Sequence, residues 1–318
     1  MSDTVDFVDI GDLFNGKIAD RTKCDAALWQ GLRRTGSVAI TGFPHAVEVD
    51  QWARNGLRIF DFPKDEIDPL VTRLIKPGNT NAYRGYWPCT PERKLQNDFY
   101  DVGPEHPERG ADIPGMDILA EKTPWPAGRK DWADQVRAFY DQMNQIAQVL
   151  ILSIGRSAGF DDLTIGKRFT GSHSTLRFLN YAAGAGLGRI EGEVAVSAGA
   201  HTDASGLSLL WQGAPGLQAR GQDGVWRDIP KAENAISVHV GDVMTHLTDG
   251  AVPGTPHRVL ASDSARQSVG FFLEPALSAV VTPATHIGAH TVRDTYGWQL
   301  LKTFSERDHW RGIIAPPQ

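Results

Sequence analysis

An imidazole and a carboxylate two residues apart suit a first-row divalent metal, and the chain offers such a pair at His201-Thr202-Asp203. Residues i and i+2 of a strand share a face. If a strand begins at this pair and runs on through the apolar "LSLLWQ" of 207–212, both side chains reach one point. A second imidazole would complete a two-His, one-carboxylate set with open positions. His239, His246 and His257 lie downstream and could each supply it. His257 follows a Pro and opens the run "HRVLA". His239, in "SVHVGDV", reads as a hydrogen-bonded core histidine, and His246 precedes an Asp-Gly turn, exposed or beside a cavity. A rival pair, His106-Pro107-Glu108, has a Pro between its candidate ligands, so no regular strand could aim both.

An H-x-D pair arises easily by chance, and its plain reading is a surface turn capped by the Asp. The later sequence gives it weight. Arg266 and Ser268 also stand at i and i+2, and a guanidinium fork beside a hydroxyl is a carboxylate receptor. The plain alternative for Arg266 is a structural ion pair. Tyr83, Tyr86, Trp87, Phe99 and Tyr100 could line a substrate cavity or pack under a long loop. Arg84 and Arg177 could meet an anionic substrate or serve as structural arginines. Cys24 and Cys89 show no metal spacing and read as ordinary thiols.

The elements that must position these groups fall into two textures. Before residue 160 the pattern is largely helical. Residues 20–35 and 47–61 carry apolar positions three or four apart, around short strands at 5–10 and 36–44, and 63–128 reads as irregular and rich in Gly and Pro. The strongest helix spans 131–158, with Trp132, Val136, Phe139, Met143, Ile146, Leu150 and Ile154 on one side and Asp131 as its N-cap. From 174 to 284 short apolar segments alternate with turns: "TLRFLNY", "GLSLLWQ", "GLQAR", "GVWRDI", "AISVHVGDVMTHL", "HRVLA" and "QSVGFFLEP". That texture predicts a sandwich or double-sheet jelly roll. The expectation is a mostly β protein with flanking α: one domain over 1–318, with a helical and loop layer at 1–130, a scaffold helix at 131–160, a jelly-roll core at 170–285 and a C-terminal helix at 290–312.

Composition narrows the classes. The 318 residues are 41% hydrophobic and 22% charged, with formal net charge −6, as in a soluble globular protein. No basic run supports a nucleic-acid partner, and no apolar run nears the roughly 18 residues of a membrane span. Two cysteines make no disulfide framework, and the acidic N-terminus lacks a signal-peptide core, so a cytoplasmic location is expected. Oligomeric state is not legible.

The motif set, taken jointly, resembles the Fe(II)/2-oxoglutarate-dependent dioxygenases of the isopenicillin N synthase type. The carriers are "HTD", "TPHRV", "RQS" followed by "VGFFLEP", "GLQ", "GVWRDI" and "VHVGDVMTHLTDG", with "VDFVDIGDL", "GSVAITGFP" and "RGYWP" near the start. The resemblance implies a double-stranded β-helix core in which His201, Asp203 and His257 bind Fe(II). It also implies that Arg266 and Ser268 hold the distal carboxylate of 2-oxoglutarate, helped by the Tyr181 phenol. The implied activity is oxidation, chiefly hydroxylation, of a small organic molecule, with O2 consumed and 2-oxoglutarate converted to succinate and CO2. The chain departs from the family at His239, where Asn is common, and at "NYAAGAG", which replaces a Pro-rich continuation. Other readings of the same residues are an iron-dependent oxidase, cyclase or desaturase without 2-oxoglutarate, a zinc hydrolase, and a non-catalytic jelly-roll binding protein. Specificity is expected in the loops around 81–101, the segment 183–199 and the C-terminal helix.

Overall fold

The long apolar stripe of 131–158 becomes the helix Lys130–Ser157, whose Val136, Phe139, Met143, Ile146, Leu150 and Ile154 are buried. It starts one residue earlier than expected. Asp131 is not its cap: the cap position is Arg129, with no side-chain hydrogen bond, and Asp131 lies in the first turn, where its charge complements the exposed amides.

The computed structural model describes residues 5–318 apart from 91–95, 111, 171–172, 284, 287, 308–309, 311–313, 315–316 and 318. The N-terminal layer runs β1 (Asp6–Asp9), α1 (Gly11–Asn15), α2 (Ile18–Thr35), β2 (Ser37–Thr41), α3 (Ala46–Gly56) and α4 (Lys64–Ile67). It continues through β3 (Gly85–Trp87), β4 (Asp98–Val102), α5 (Met116–Leu119), α6 (Lys130–Ser157) and α7 (Asp162–Phe169). The core follows with β5 (Thr175–Tyr181), β6 (Ile190–Glu191), β7 (Val194–His201), β8 (Leu207–Gln212), β9 (Leu217–Arg220) and β10 (Trp226–Asp228). It closes with β11 (Ile236–Val240), α8 (Asp242–Leu247), β12 (His257–Leu260), β13 (Arg266–Leu273) and α9 (Tyr296–Ser305).

Among the described residues the strands form a main sheet, β1-β2-β11-β8-β13-β5-β4-β3, and a smaller one, β10-β9-β12-β7-β6. Together they make the jelly-roll core that the sequence predicts. Strand alternation divides the main sheet into two faces. Leu176, Phe178, Leu207, Leu209, Val269, Phe271 and Leu273 point one way and are buried, with Phe178 and Phe271 against Phe139 and Tyr140 of α6. The opposite face carries Arg177, Leu179 and Tyr181 of β5 opposite Gly270, Ser268 and Arg266 of β13. A second, smaller core of Leu217, Ala219 and Val259 lines the small sheet, with Leu210 of the main sheet packed against it.

Several elements differ from expectation. Residues 63–128 are not wholly irregular: β3 and β4 extend the main sheet, β4 paired to β5 and β3 to β4. "AISVHVGDVMTHL" is not one strand; it breaks after Val240, and Asp242–Leu247 is helical. α7 was not anticipated; it is capped by Asp161, which accepts from the Thr164 amide at 2.8 Å. The C-terminal helix is shorter than 290–312, covering Tyr296–Ser305 after a single 3-10 turn, and 311–312 lie outside the described residues.

Phe139 is fully buried between the rings of Trp52 and Phe178. Phe139→Ala is expected to lower stability by about 3–5 kcal/mol, read by urea denaturation, because it opens a cavity where the helix meets the sheet.

Candidate metal centre and co-substrate receptor

His201 ends β7 and His257 begins β12, and the two are direct partners in the antiparallel ladder of the small sheet. Their rings lie 4.4 Å apart. Asp203 stands two residues beyond His201, outside any strand. The expectation that the pair opens the "LSLLWQ" strand is therefore corrected: His201 closes the strand before it, Asp203 lies in the crossover, and β8 begins only at Leu207 in the other sheet. The two side chains converge through a turn rather than a shared strand face. His201, Asp203 and His257 each offer an atom within 4.8 Å of the other two, the only such group of three or more among the described residues.

The hydrogen bonds around the cluster fix its protons. His201 Nδ1 lies 2.7 Å from the Gly199 carbonyl and His257 Nδ1 lies 3.1 Å from that of Thr255. A carbonyl only accepts, so each Nδ1 carries the hydrogen and each Nε2 presents a lone pair. Those Nε2 atoms sit 3.6 and 3.5 Å from the two oxygens of Asp203. Burial holds the His257 pKa below the usual imidazole value, opposed in part by Asp203. Lone pairs thus face a carboxylate with no proton between them, an arrangement that suits a divalent cation.

Other residues hold Asp203 in place. Ser208 donates to Asp203 Oδ2 at 2.5 Å, reaching from the main sheet. The Asp242 amide donates to the Asp203 carbonyl at 2.8 Å, and the Thr202 hydroxyl to the Asp242 carboxylate at 2.9 Å. A Cβ on Gly241 would stand 2.0 Å from the Ser205 carbonyl oxygen, so only glycine lets α8 approach this turn. None of these contacts was read from the sequence. The nearest signals were a lone Ser in an apolar strand and the Gly-Asp after β11.

His239 is a buried core histidine, as expected, but not a fully bonded one. Its Nε2 lies 3.2 Å from the Ser237 hydroxyl and its Nδ1 has no partner among the described residues. Its ring packs edge-on to His257 at 5.0 Å, and burial, reinforced by His257 and His201, keeps it well below the usual imidazole pKa. His246 is exposed on α8. The rival pair is structural: Glu108 accepts from the Leu277 amide and the Ser278 hydroxyl.

Arg266 opens β13 opposite Tyr181, and its guanidinium carbon lies 5.7 Å from the Tyr181 ring centre. It is only 4% exposed. Nε reaches the Ala214 carbonyl at 3.3 Å and Nη2 the Gln212 amide oxygen at 3.5 Å, while Nη1 has no partner among the described residues. Burial pulls its pKa below the usual guanidinium value, and no carboxylate among the described residues compensates. Ser268 follows two residues on, on the same face. Burial raises the Tyr181 pKa, partly offset by Arg266. A buried cation with an unused donor is costly unless an anion joins it.

The family model of the 2OG-Fe(II) oxygenase superfamily matches residues 175–275, which contain all six of these residues. Those residues carry a 2OG-Fe(II) oxygenase domain. Isopenicillin N synthase of Streptomyces clavuligerus is 28% identical over 304 residues, covering 89% of this chain and 88% of that protein. A 1-aminocyclopropane-1-carboxylate oxidase of Musa acuminata is 29% identical over 175 residues, 52% of this chain and 55% of that one. The same fold appears in a Neurospora crassa protein solved at full length with alpha-KG and thymine, at TM-score 0.71 and 21% identity over 89% of this chain and 90% of that one. It appears again in the rice dioxygenase for auxin oxidation, at TM-score 0.64 and 19% identity over 85% and 83%. The 2OG-Fe(II) oxygenases use Fe(II), 2-oxoglutarate and O2, and the matched domain is that of an oxidoreductase of the dioxygenase class.

Of the aromatic candidates, Tyr100 is core, its hydroxyl donating to the Pro124 carbonyl. Tyr83 packs on His173, Phe304 and Trp310, and Tyr86 on Phe60. Trp87 and Phe99 stack on each other on the inward side of the main sheet. Arg84 is 1% exposed and donates to Thr175 and to the His173 carbonyl, a structural role. Part of the 81–101 loop, 91–95, lies outside the described residues.

Ser208→Ala removes the donor that orients Asp203. It is expected to weaken divalent-cation binding by about 10–100-fold, read by anaerobic calorimetry with Mn(II). Unchanged affinity would mean that the turn alone positions the carboxylate.

Proposed function

We propose that His201, Asp203 and His257 hold Fe(II), that Arg266 and Ser268 hold the distal carboxylate of 2-oxoglutarate, and that Tyr181 completes this receptor. The reaction is hydroxylation of a small organic molecule: substrate, 2-oxoglutarate and O2 give hydroxylated substrate, succinate and CO2. One observation carries the reading. A donor cluster with no proton among its facing atoms and a buried guanidinium with no anion among the described residues stand in one sandwich. A cation and a dicarboxylate complete both at once.

When bound, Fe(II) supplies open coordination positions for the 2-oxo acid and O2, and the redox chemistry that couples decarboxylation to substrate oxidation. The protein's own groups do the rest. The Gly199 and Thr255 carbonyls set the imidazole tautomers, Ser208 turns the carboxylate, and Arg266 fixes the co-substrate's far end with charge-assisted bonds. The apolar packing of Leu217, Ala219 and Val259 keeps water from one side of the site. The single main core that joins helices and sheet supports one domain over 1–318. No helix among the described residues is long and apolar enough to cross a membrane. Two cysteines are too few for a disulfide framework, which supports a reducing, cytoplasmic setting.

The test loads anaerobically purified protein with Fe(II), ascorbate and 2-oxoglutarate, admits O2 and measures succinate. Slow succinate release without added substrate is expected; its absence, with hydrolysis supported by zinc, would point to the hydrolase instead. Arg266→Ala should weaken 2-oxoglutarate binding by about 2–5 kcal/mol, since it removes a buried charged partner. Unaltered dependence on 2-oxoglutarate would transfer the anchoring role elsewhere.

A further inference from the structure

Arg177 is left without a task by the metal and co-substrate assignments, yet it faces the same interior. It lies opposite Gly270 of β13, so it projects to the same side as Ser268 and Arg266. Its Nε and Nη2 donate to the two oxygens of Asp101, each at 2.7 Å. Its guanidinium carbon is 4.1 Å from the Phe99 ring centre and 5.6 Å from that of Phe272. Nη1 has no hydrogen-bond partner among the described residues, and the side chain is 33% exposed although it sits on the inward face.

Phe272 forms the floor beside it. A Cβ on Gly270 would stand 3.0 Å from the Phe272 ring and 3.1 Å from Leu210. The missing side chain therefore lets the ring lie over the strand, between Leu210 on β8 and Arg177 on β5. Phe272 is itself paired with Ser208, the residue that turns Asp203. Two strand spacings and one inward row separate Ser208 from Arg177, about 12 Å, the span of one small ring system and its substituents.

We infer that Arg177 is the substrate-recognising residue, and that the substrate is an uncharged, planar ring bearing a carbonyl oxygen, which lies on Phe272 and accepts from Arg177 Nη1. The inference rests on the oxygenase reading above. Planarity follows from the flat aromatic floor, which favours offset stacking. Neutrality follows from Asp101, 7% exposed, which already balances the guanidinium. A substrate carboxylate would place a second negative charge beside Asp101 in a poorly solvated interior. A carbonyl takes the remaining charge-assisted bond without adding charge. Arg84 cannot substitute, since it is buried and committed to Thr175 and backbone carbonyls.

The test measures succinate release by the Fe(II)- and 2-oxoglutarate-loaded enzyme with 2-pyridone, chromone and coumarin, against saturated 2-piperidone and charged coumarin-3-carboxylate. A neutral planar probe should raise the rate at least tenfold over the compound-free rate. Arg177→Gln, its fold checked by thermal melting, should raise that probe's KM at least tenfold. Asp101→Asn should turn the preference toward coumarin-3-carboxylate. Should Arg177→Gln not fold, Asp101→Asn and Phe272→Leu decide, the latter raising KM for the planar probe but not for 2-piperidone. Stimulation by the carboxylate or the saturated probe alone, an unmoved KM, or silence from every probe overturns the inference. Compound-free succinate release separates the two outcomes: if it is present without stimulation, only this inference falls; if it is absent, the oxygenase reading falls first.

Discussion

Two imidazole lone pairs and a carboxylate, turned toward one another with no hydrogen among them, repel until a cation joins them. The rest of the fold serves to impose that arrangement. The small sheet brings His201 and His257 together as ladder partners, and backbone carbonyls behind each ring fix which nitrogen faces inward. The crossover between the sheets delivers Asp203, pinned by Ser208 from the main sheet and by the start of α8. The buried Arg266 guanidinium repeats the theme with opposite sign at the head of β13. Both arrangements lower stability in the isolated chain, and both are held because large apolar contacts elsewhere over-determine the backbone.

Which parts of this were legible depends on whether local sequence or tertiary pairing decides the conformation. The stripe of α6 was plain because its period is carried by large apolar side chains over seven turns. β13 was plain because Arg266 and Ser268 alternate with Gln267 and Val269 in a regular strand. β7 was not: "VAVSAGAH" has few large side chains and lies partly exposed, so it gives no strand signal, and His201 was credited to the wrong strand. His201 and Asp203 still meet His257 because a tight turn and a strand can both bring residues i and i+2 together. β4 is imposed by β5, β3 by β4, and α8 by the close approach that Gly241 permits, so none is written in local propensity. Ser208 and Asp242 were invisible for the same reason: their partners are fixed by a meeting of two sheets.

Asp101 and Arg177 illustrate a subtler limit. Each could be named as charged residues in a β context, but their ion pair depends on the register of β4 against β5. Register is set by turns and by burial of the opposite face, here Tyr100 against Phe178.

The alternation along β5 and β13 has a consequence for how such a protein changes over time. Odd and even positions answer to different demands: Phe178, Val269 and Phe271 to cohesion with α6, Arg177, Leu179 and Ser268 to whatever enters the interior. A mutation in the second set acts mainly on chemistry, and a mutation in the first acts mainly on durability. One strand pair thus keeps two nearly independent ledgers of variation, which lets a lineage exchange its target molecule while inheriting its frame unaltered.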